Sequence, residues 1–286
     1  MSFLKKTSVL FAAVDIGWRI SMYSDIIRKQ FGKSAKIDSF VKYKVSKKQY
    51  ETNYTFQYQF ENYPTVIQWT FSLLFFCYAL LNYKIFYFFS GETILTRKLI
   101  RFEFFIYKIL GKKVIMHFVG SDIRDPNYLY WKTKNIVHFL NGEKGPEISS
   151  AWQKKLIQTS KNYANHILVS TPDLKQIIPN SIYYPVMLDV DSFLAELKSI
   201  SITNRLFKTN IVKILHAPSN ANLKGTVLID EELEKLLQKN SDIEYLNTAN
   251  LNRDTKSSYT VSRYELFQLY QEADIVIDQV VIGWYG

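Results

Sequence analysis

The amino-acid sequence predicts an α/β chain with two parallel β-sheets, the second of them incomplete. Three observations carry this. Short apolar runs of strand length stop at clusters of Gly, Ser, Asp, Asn and Pro. Helically spaced stretches fall between successive runs, and that alternation implies parallel strands. A polar stretch with few turn signals, Ile200 to Thr209, separates two such series. A chain of 286 residues has room for two domains. We read residues 1–200 as the first and 201–286 as the second.

Taken in order, Ser8–Val14 is strand-like, Asp15-Ile16-Gly17 a turn, and Trp18 to Phe31 a helix with Ile20, Tyr23, Ile26 and Ile27 on its apolar face. Lys33 to Glu61 is polar and Tyr-rich and receives no assignment. A helix is centred on Trp69–Leu81. Ile85–Phe89 is a strand ending at Ser90-Gly91-Glu92-Thr93. Ile94 to Leu110 is a basic amphipathic helix, with Gly111 as its stop. Val114–Val119 is a buried strand, and the region from Asp125-Pro126 to Gly145-Pro146 is loop-rich. A helix over Ala151–Ala164, a strand over His166–Ser170, a short helix over Leu174–Ile178 and a strand over Ile182–Val186 complete the first series. The second has strands at Ile211–Ala217, Ile243–Leu246 and Asp274–Val280, and helices from Lys224-Gly225-Thr226 to Leu237 and over Tyr264–Ala273. No helix follows its last strand, although a parallel sheet needs both faces covered.

Composition bounds the function. Hydrophobic residues make up 47% and charged residues 22%, values that support a packed core. Lys plus Arg less Asp plus Glu is 36 − 26 = +10. That balance suits an anionic partner, and it also follows from a composition rich in Lys, Asn, Ile and Tyr. Nucleic acid is not expected as a partner, because no Arg-rich cluster or nucleic-acid motif occurs. Cys77 is the only cysteine, so no intrachain disulfide or cysteine metal site can form, and a reducing, cytoplasmic setting is expected. His117, His138, His166 and His216 are not at metal-site spacings, and no metal is expected. Lys5-Lys6 before Ser8–Val14 reads as the approach to a first strand, not as a signal peptide. Asn62 to Tyr83 carries no charge but is interrupted by Pro64, Gln68, Thr70, Ser72 and Asn82. A core helix is expected there, with a helix lying at a lipid interface and a membrane span as the other readings.

Chemistry-bearing residues gather where strands end. His117 lies two residues before Val119, hence on the same strand face, and Gly120, Ser121, Asp122 and Arg124 follow. Such residues could bind a substrate hydroxyl at the ligand-facing edge of an α/β sheet. They could equally be a core histidine beside a turn closed by its own aspartate. His216, Pro218, Ser219, Asn220, Lys224, Gly225 and Thr226 form a second set, suited to phosphate at a helix start or to an ordinary exposed lysine. Asp274, Asp278, Gly283 and Gly286 form a third, and Asp15 with Gly17 a fourth. Neither G-x-G-x-x-G, nor a P-loop, nor G-x-S-x-G is present.

Together the blocks YFFSGE (Tyr87 to Glu92), GKKVIMHFVGSDIR, HILVSTPDL, YYPVMLDVDSF, KILHAPSNANLKGT and YQEADIVIDQVVIGWYG occur in the order found in one family. The chain resembles the GT-B glycosyltransferases, in particular glycosyltransferase family 4 and its polysaccharide-assembly members, across most of residues 84–286. That resemblance implies two Rossmann-like domains facing across a cleft and a retaining, metal-independent hexosyl transfer. The sugar would pass from a nucleotide-sugar donor to a glycan or lipid-linked acceptor. Separately from the resemblance, the basic balance, the aromatic share of 16% and the Asn62–Tyr83 segment suggest peripheral docking at an anionic membrane leaflet, on its cytoplasmic side. The resemblance implies no cofactor beyond the nucleotide-sugar. It implies catalytic roles for His117 and Asp122. Ser219, Asn220, Lys224, Gly225, Asp278 and Gly283 would serve the donor, and Gly17, Gly120, Ser121 and Arg124 the acceptor side. The family often has His directly before the Gly of this turn, where this chain has Val119. Some members place a basic residue shortly before the Lys, where this chain has Asn220-Ala221-Asn222-Leu223. Family members also continue beyond the Gly-Trp-Tyr-Gly block into a further carboxylate-bearing helix, so a truncated or split enzyme with a compromised donor site is expected. A nucleotide-sugar 2-epimerase shares the architecture, and a non-catalytic sugar-binding remnant is the third reading.

Overall fold

Seven strands form one sheet in the computed structural model, which describes residues 7–15, 19–42, 54–58, 63–120, 122–124, 150–199, 211–218, 221–249 and 261–280. They are β1 (Thr7–Ala12), β2 (Ala35–Val41), β3 (Phe56–Gln57), β4 (Ile85–Phe89), β5 (Lys113–Phe118), β6 (His166–Val169) and β7 (Ile182–Tyr183). Their order is β3-β2-β1-β4-β5-β6-β7, and every pairing is parallel. This is an α/β arrangement consistent with a Rossmann-like fold. The order reverses between β1 and β4, and open sheets bind ligands outside the carboxyl ends of strands at such a switch point.

The apolar runs read as strands because both faces of the sheet are covered. Leu10, Phe86, Phe88, Val114 and Met116 point to one face, and Phe11, Tyr87 and Phe89, in alternate positions, to the other. On the first face pack α2 (Thr65–Asn82), α3 (Ile100–Ile109), α4 (Ser150–Tyr163) and α5 (Pro172–Ile177), through Phe75, Phe76, Phe104, Tyr107, Leu156 and Leu174. On the second packs α1 (Arg19–Phe31), through Ile20 and Tyr23.

Several elements differ from expectation, each for a physical reason. The unassigned stretch Lys33–Glu61 holds β2 and β3. Its polar residues are satisfied across the sheet: the Tyr83 hydroxyl donates to Asp38 at 2.7 Å, and Ser39 and Thr55 exchange hydrogen bonds at 3.1 and 3.2 Å. The helix expected from Ile94 begins only at Ile100, after a 3₁₀ turn over Arg97–Leu99. The amides of Ile94 and Leu95 donate to the side chain of Glu103, which holds that segment off the helix axis. The strand expected over Ile182–Val186 stops at Tyr183, because Pro185 has no amide for the ladder.

Among the described residues, contacts divide the chain into two units, one up to Asp189 and one from Val190 onward. The second opens with α6 (Val190–Ser199), a helix absent from the expectation. Its sheet has the order β10-β8-β9, with β8 (Val212–His216), β9 (Ile243–Asn247) and β10 (Ile275–Val276) all parallel. Ile214, Ile229 and Leu233 form its core, which packs the sheet against α8 (Thr226–Leu237). A four-residue α7 (Ala221–Lys224) precedes α8, and α9 (Arg263–Glu272) starts with a Ser262–Glu265 capping box. The last strand, expected over Asp274–Val280, pairs only over Ile275–Val276. The expected connection Ile200–Thr209, the loop-rich region 125–149 and the final segment lie outside the described residues.

Candidate functional site

In the first unit, polar residues converge at the carboxyl ends of β1, β4 and β5. Asp15, just after β1, accepts hydrogen bonds from the amides of Ile20 and Ser21 at 3.1 and 3.3 Å, and so closes the start of α1. It also accepts from the Tyr54 hydroxyl at 2.7 Å. Burial raises its pKa, opposed by these three hydrogen bonds. Arg19 opens α1 beside it. Burial lowers the Arg19 pKa, and the carboxylate of Asp122 is the strongest charge holding it up. A guanidinium thus sits in the electrostatic reach of two buried carboxylates.

Asp122 closes the turn after β5. Its carboxylate accepts from the amides of Val119 at 3.0 Å, Gly120 at 2.7 Å and Ile123 at 3.2 Å. Burial raises its pKa, and the amides work against that shift. Arg124, expected on the acceptor side, turns to the end of β6. It donates to Asp173 at 2.8 Å and to Thr171 at 3.3 Å.

His117 is fully buried, and both ring nitrogens are engaged. Nε2 lies 3.2 Å from the Tyr184 carbonyl, so it carries the proton and donates; Nδ1 then accepts from the Tyr87 hydroxyl at 2.9 Å. Burial pulls the His117 pKa down to about 4, the Tyr184 hydrogen bond opposes this, and nearby Arg19 adds to it. The ring is neutral at physiological pH. A groove of about 370 Å³ on the α1 face reaches both of its partners, lined by Val9, Phe11, Tyr23, Tyr87, Leu168 and Tyr184.

In the second unit, Lys224 and Asp278 come together at the carboxyl ends of neighbouring strands, their charges 2.7 Å apart. The arrangement follows from the β10–β8 pairing, which sets the residues after both strands side by side. Lys224 does not open the long helix: it ends α7, and Gly225, at φ +74°, bends the chain into α8. A side chain at that left-handed position costs roughly 1–2 kcal/mol. Gly225→Ala is therefore expected to lower the thermal midpoint by a few degrees, and an unchanged midpoint would count against the bend. His216 is fully buried behind this turn. Its Nδ1 donates to the Ile277 carbonyl at 2.8 Å, and its Nε2 accepts from the Thr226 hydroxyl at 2.9 Å. Asp230 accepts from Tyr245 at 2.6 Å and from Asn247 at 2.8 Å, and so ties α8 to β9.

Gly120, Asp122 and His117 therefore share one strand end, and Lys224, Gly225 and Asp278 another. Gly17, Ser121, Ser219, Asn220 and Gly283 lie outside the described residues. Sequence reasoning missed Arg19, Tyr87 and Tyr184, whereas Thr226 stood in the second set beside His216, its partner here. The signal for Arg19 was its place at the start of the helix that follows a strand-end aspartate. Among the described residues no group of His, Cys, Asp and Glu is arranged to hold a metal ion. No family model matches the sequence, and no curated protein matches it.

Proposed function

We propose that the chain is a glycosyltransferase of the GT-B type, moving a sugar from a nucleotide-sugar to a glycan or lipid-linked acceptor in surface polysaccharide assembly. The observation that carries this reading is the Lys224–Asp278 pair at the strand ends of the second unit, beside the left-handed Gly225. Glycosyl transfer builds negative charge on the departing diphosphate, and a fixed ammonium stabilises it without a metal. What supports this role is that the Lys224 side chain is only 13% exposed and its partner Asp278 is 51% exposed, so a bound diphosphate would take over the ammonium from Asp278.

The acceptor then belongs to the first unit, at the edge formed by Asp15, Arg19 and the Gly120–Asp122 turn. His117 is neutral and tied to Tyr87 and Tyr184, so in this reading it fixes the end of β5 and lends shape, not charge. Asp122 holds the turn through its three amides.

Calorimetry with UDP and GDP tests the donor site. Lys224→Ala removes a charge-assisted contact, which weakens nucleoside-diphosphate binding roughly tenfold to a hundredfold. Absence of binding by the unaltered chain, or equal affinity in the variant, would overturn the assignment. Product analysis with nucleotide-hexoses separates the chemistries: a glycoside supports transfer, and a free 2-epimer supports the epimerase instead.

A further inference from the structure

We infer that the outer face of α2 and α3 is a docking surface for an anionic phospholipid bilayer, on which α2 lies flat. Ser72, Phe75, Phe76 and Ala79 are the buried residues of α2. The opposite side presents Val66, Leu74 and Leu81, exposed by 76%, 60% and 87%, with no charge anywhere along the helix. Beside it, α3 exposes Phe102, Phe105 and Ile109. A groove of about 530 Å³ joins the two helices, lined by Val66, Trp69, Leu73, Leu99 and Phe102. A continuous apolar surface of this kind marks an interaction site.

Charge identifies what covers it. From Tyr63 to Lys113 the chain has seven Lys and Arg (84, 97, 98, 101, 108, 112 and 113) against two carboxylates. Of those two, Glu103 is fully buried and Glu92 is paired with Arg97. Lys98, just before α3, and Arg101 and Lys108 on it are exposed, and Lys108 lies 5.4 Å from the Tyr163 ring of α4. On α4, Lys155 donates to the Lys98 carbonyl. Lys84, Lys112 and Lys113 follow the C-terminal ends of α2 and α3. An apolar strip edged by cations fits the boundary between lipid headgroups and acyl chains, with the cations at the phosphates. A second copy docked through this face would bring two cationic borders together.

Among the described residues α2 is the one helix long and apolar enough to cross a membrane. Its inner side, however, belongs to the sheet: Phe75 stacks on Phe40 at 3.7 Å, and Phe76 meets Tyr107 at 5.6 Å. Crossing would strip these contacts from the core, whereas lying in the interface keeps them. The surface is independent of the sugar-transfer reading, and a chain that transferred nothing would still carry it.

Cys77, the only cysteine, is exposed on α2 and can carry an environment-sensitive fluorophore. The labelled full chain is mixed with vesicles of phosphatidylcholine and phosphatidylglycerol in equal parts, or of phosphatidylcholine alone. A blue shift and co-flotation are expected with the anionic vesicles, and roughly hundredfold weaker partitioning with the neutral ones. Leu74→Glu with Leu81→Glu abolishes binding and leaves the melting midpoint unchanged. Lys98→Ser, Arg101→Ser and Lys108→Ser together weaken it roughly tenfold to a hundredfold. Lack of binding to anionic vesicles overturns the inference. So does binding that survives the leucine variant, or self-association that the leucine variant breaks. Resistance to alkaline extraction would refute the flat geometry.

Discussion

Glu103→Ala is expected to cost roughly 3–5 kcal/mol of folding stability, the loss typical when one partner of a buried charged network is removed. Glu103 is fully buried in the core between α3 and the sheet. Its carboxylate accepts from the Ile94 amide at 3.0 Å, the Leu95 amide at 2.9 Å and the Tyr107 hydroxyl at 2.8 Å. Burial raises its pKa, and the Lys42 ammonium is the largest influence holding it down. Lys42 is itself lowered to about 8 by burial and donates to the Leu95 carbonyl. Alanine leaves three donors without their acceptor in a place water does not reach, and each such group costs roughly 1–3 kcal/mol. Glu103→Gln keeps one carbonyl acceptor, loses the charge opposite Lys42, and is expected to fall between alanine and the unaltered chain. Urea denaturation followed by circular dichroism measures both. An alanine variant within about 0.5 kcal/mol of the unaltered protein, the range of ordinary surface changes, would refute the network.

This residue also shows where sequence reading stops. Ile85–Phe89 and Val114–Phe118 were legible as strands because apolar side chains on both faces leave a continuous run. The helix start before Ile100 was hidden: the helical pattern continues back to Ile94, and only a side chain folding back from Glu103 removes those residues from the helix. Strand β2 was hidden for a related reason. Lys36, Asp38 and Ser39 make it look exposed, yet Asp38 and Ser39 find partners in Tyr83 and Thr55, 45 and 16 residues away. In the candidate site, residues that follow strands were legible, because strand ends can be read from turn chemistry. Lys224 and Asp278 were each found that way, and the strand pairing then joined them. Arg19, Tyr87 and Tyr184 were not, because their importance lies in which buried group they face. For Asp122 both readings were open, and its carboxylate serves the backbone of its own turn.

The pH dependence of stability should carry the signature of His117. Its folded pKa, about 4, lies below its ordinary value of 6.5. The unfolded chain therefore binds a proton on this residue that the folded chain refuses between those two values. The stability tied to the neutral ring is fully present above pH 6.5 and is lost as pH falls toward 4. A gap of this size corresponds to roughly 3 kcal/mol. Asp15, Asp122 and Glu103 act in the opposite direction: burial raises their pKa values, so the folded state gains on the unfolded one as they take up protons. The raw profile mixes these effects, and a comparison with His117→Gln separates them. Glutamine fills much of the same space and does not titrate. It is expected to be less stable than the histidine protein at pH 7, where Tyr87 and Tyr184 lose well-placed partners. That deficit should shrink as pH falls to 4 and the histidine protein loses its advantage. Thermal melts of both proteins across this range give the difference directly. A deficit that stays constant would mean that His117 titrates alike in the folded and unfolded chains. The ring would then be open to protons, and its neutral, tethered geometry between Tyr87 and Tyr184 would be refuted.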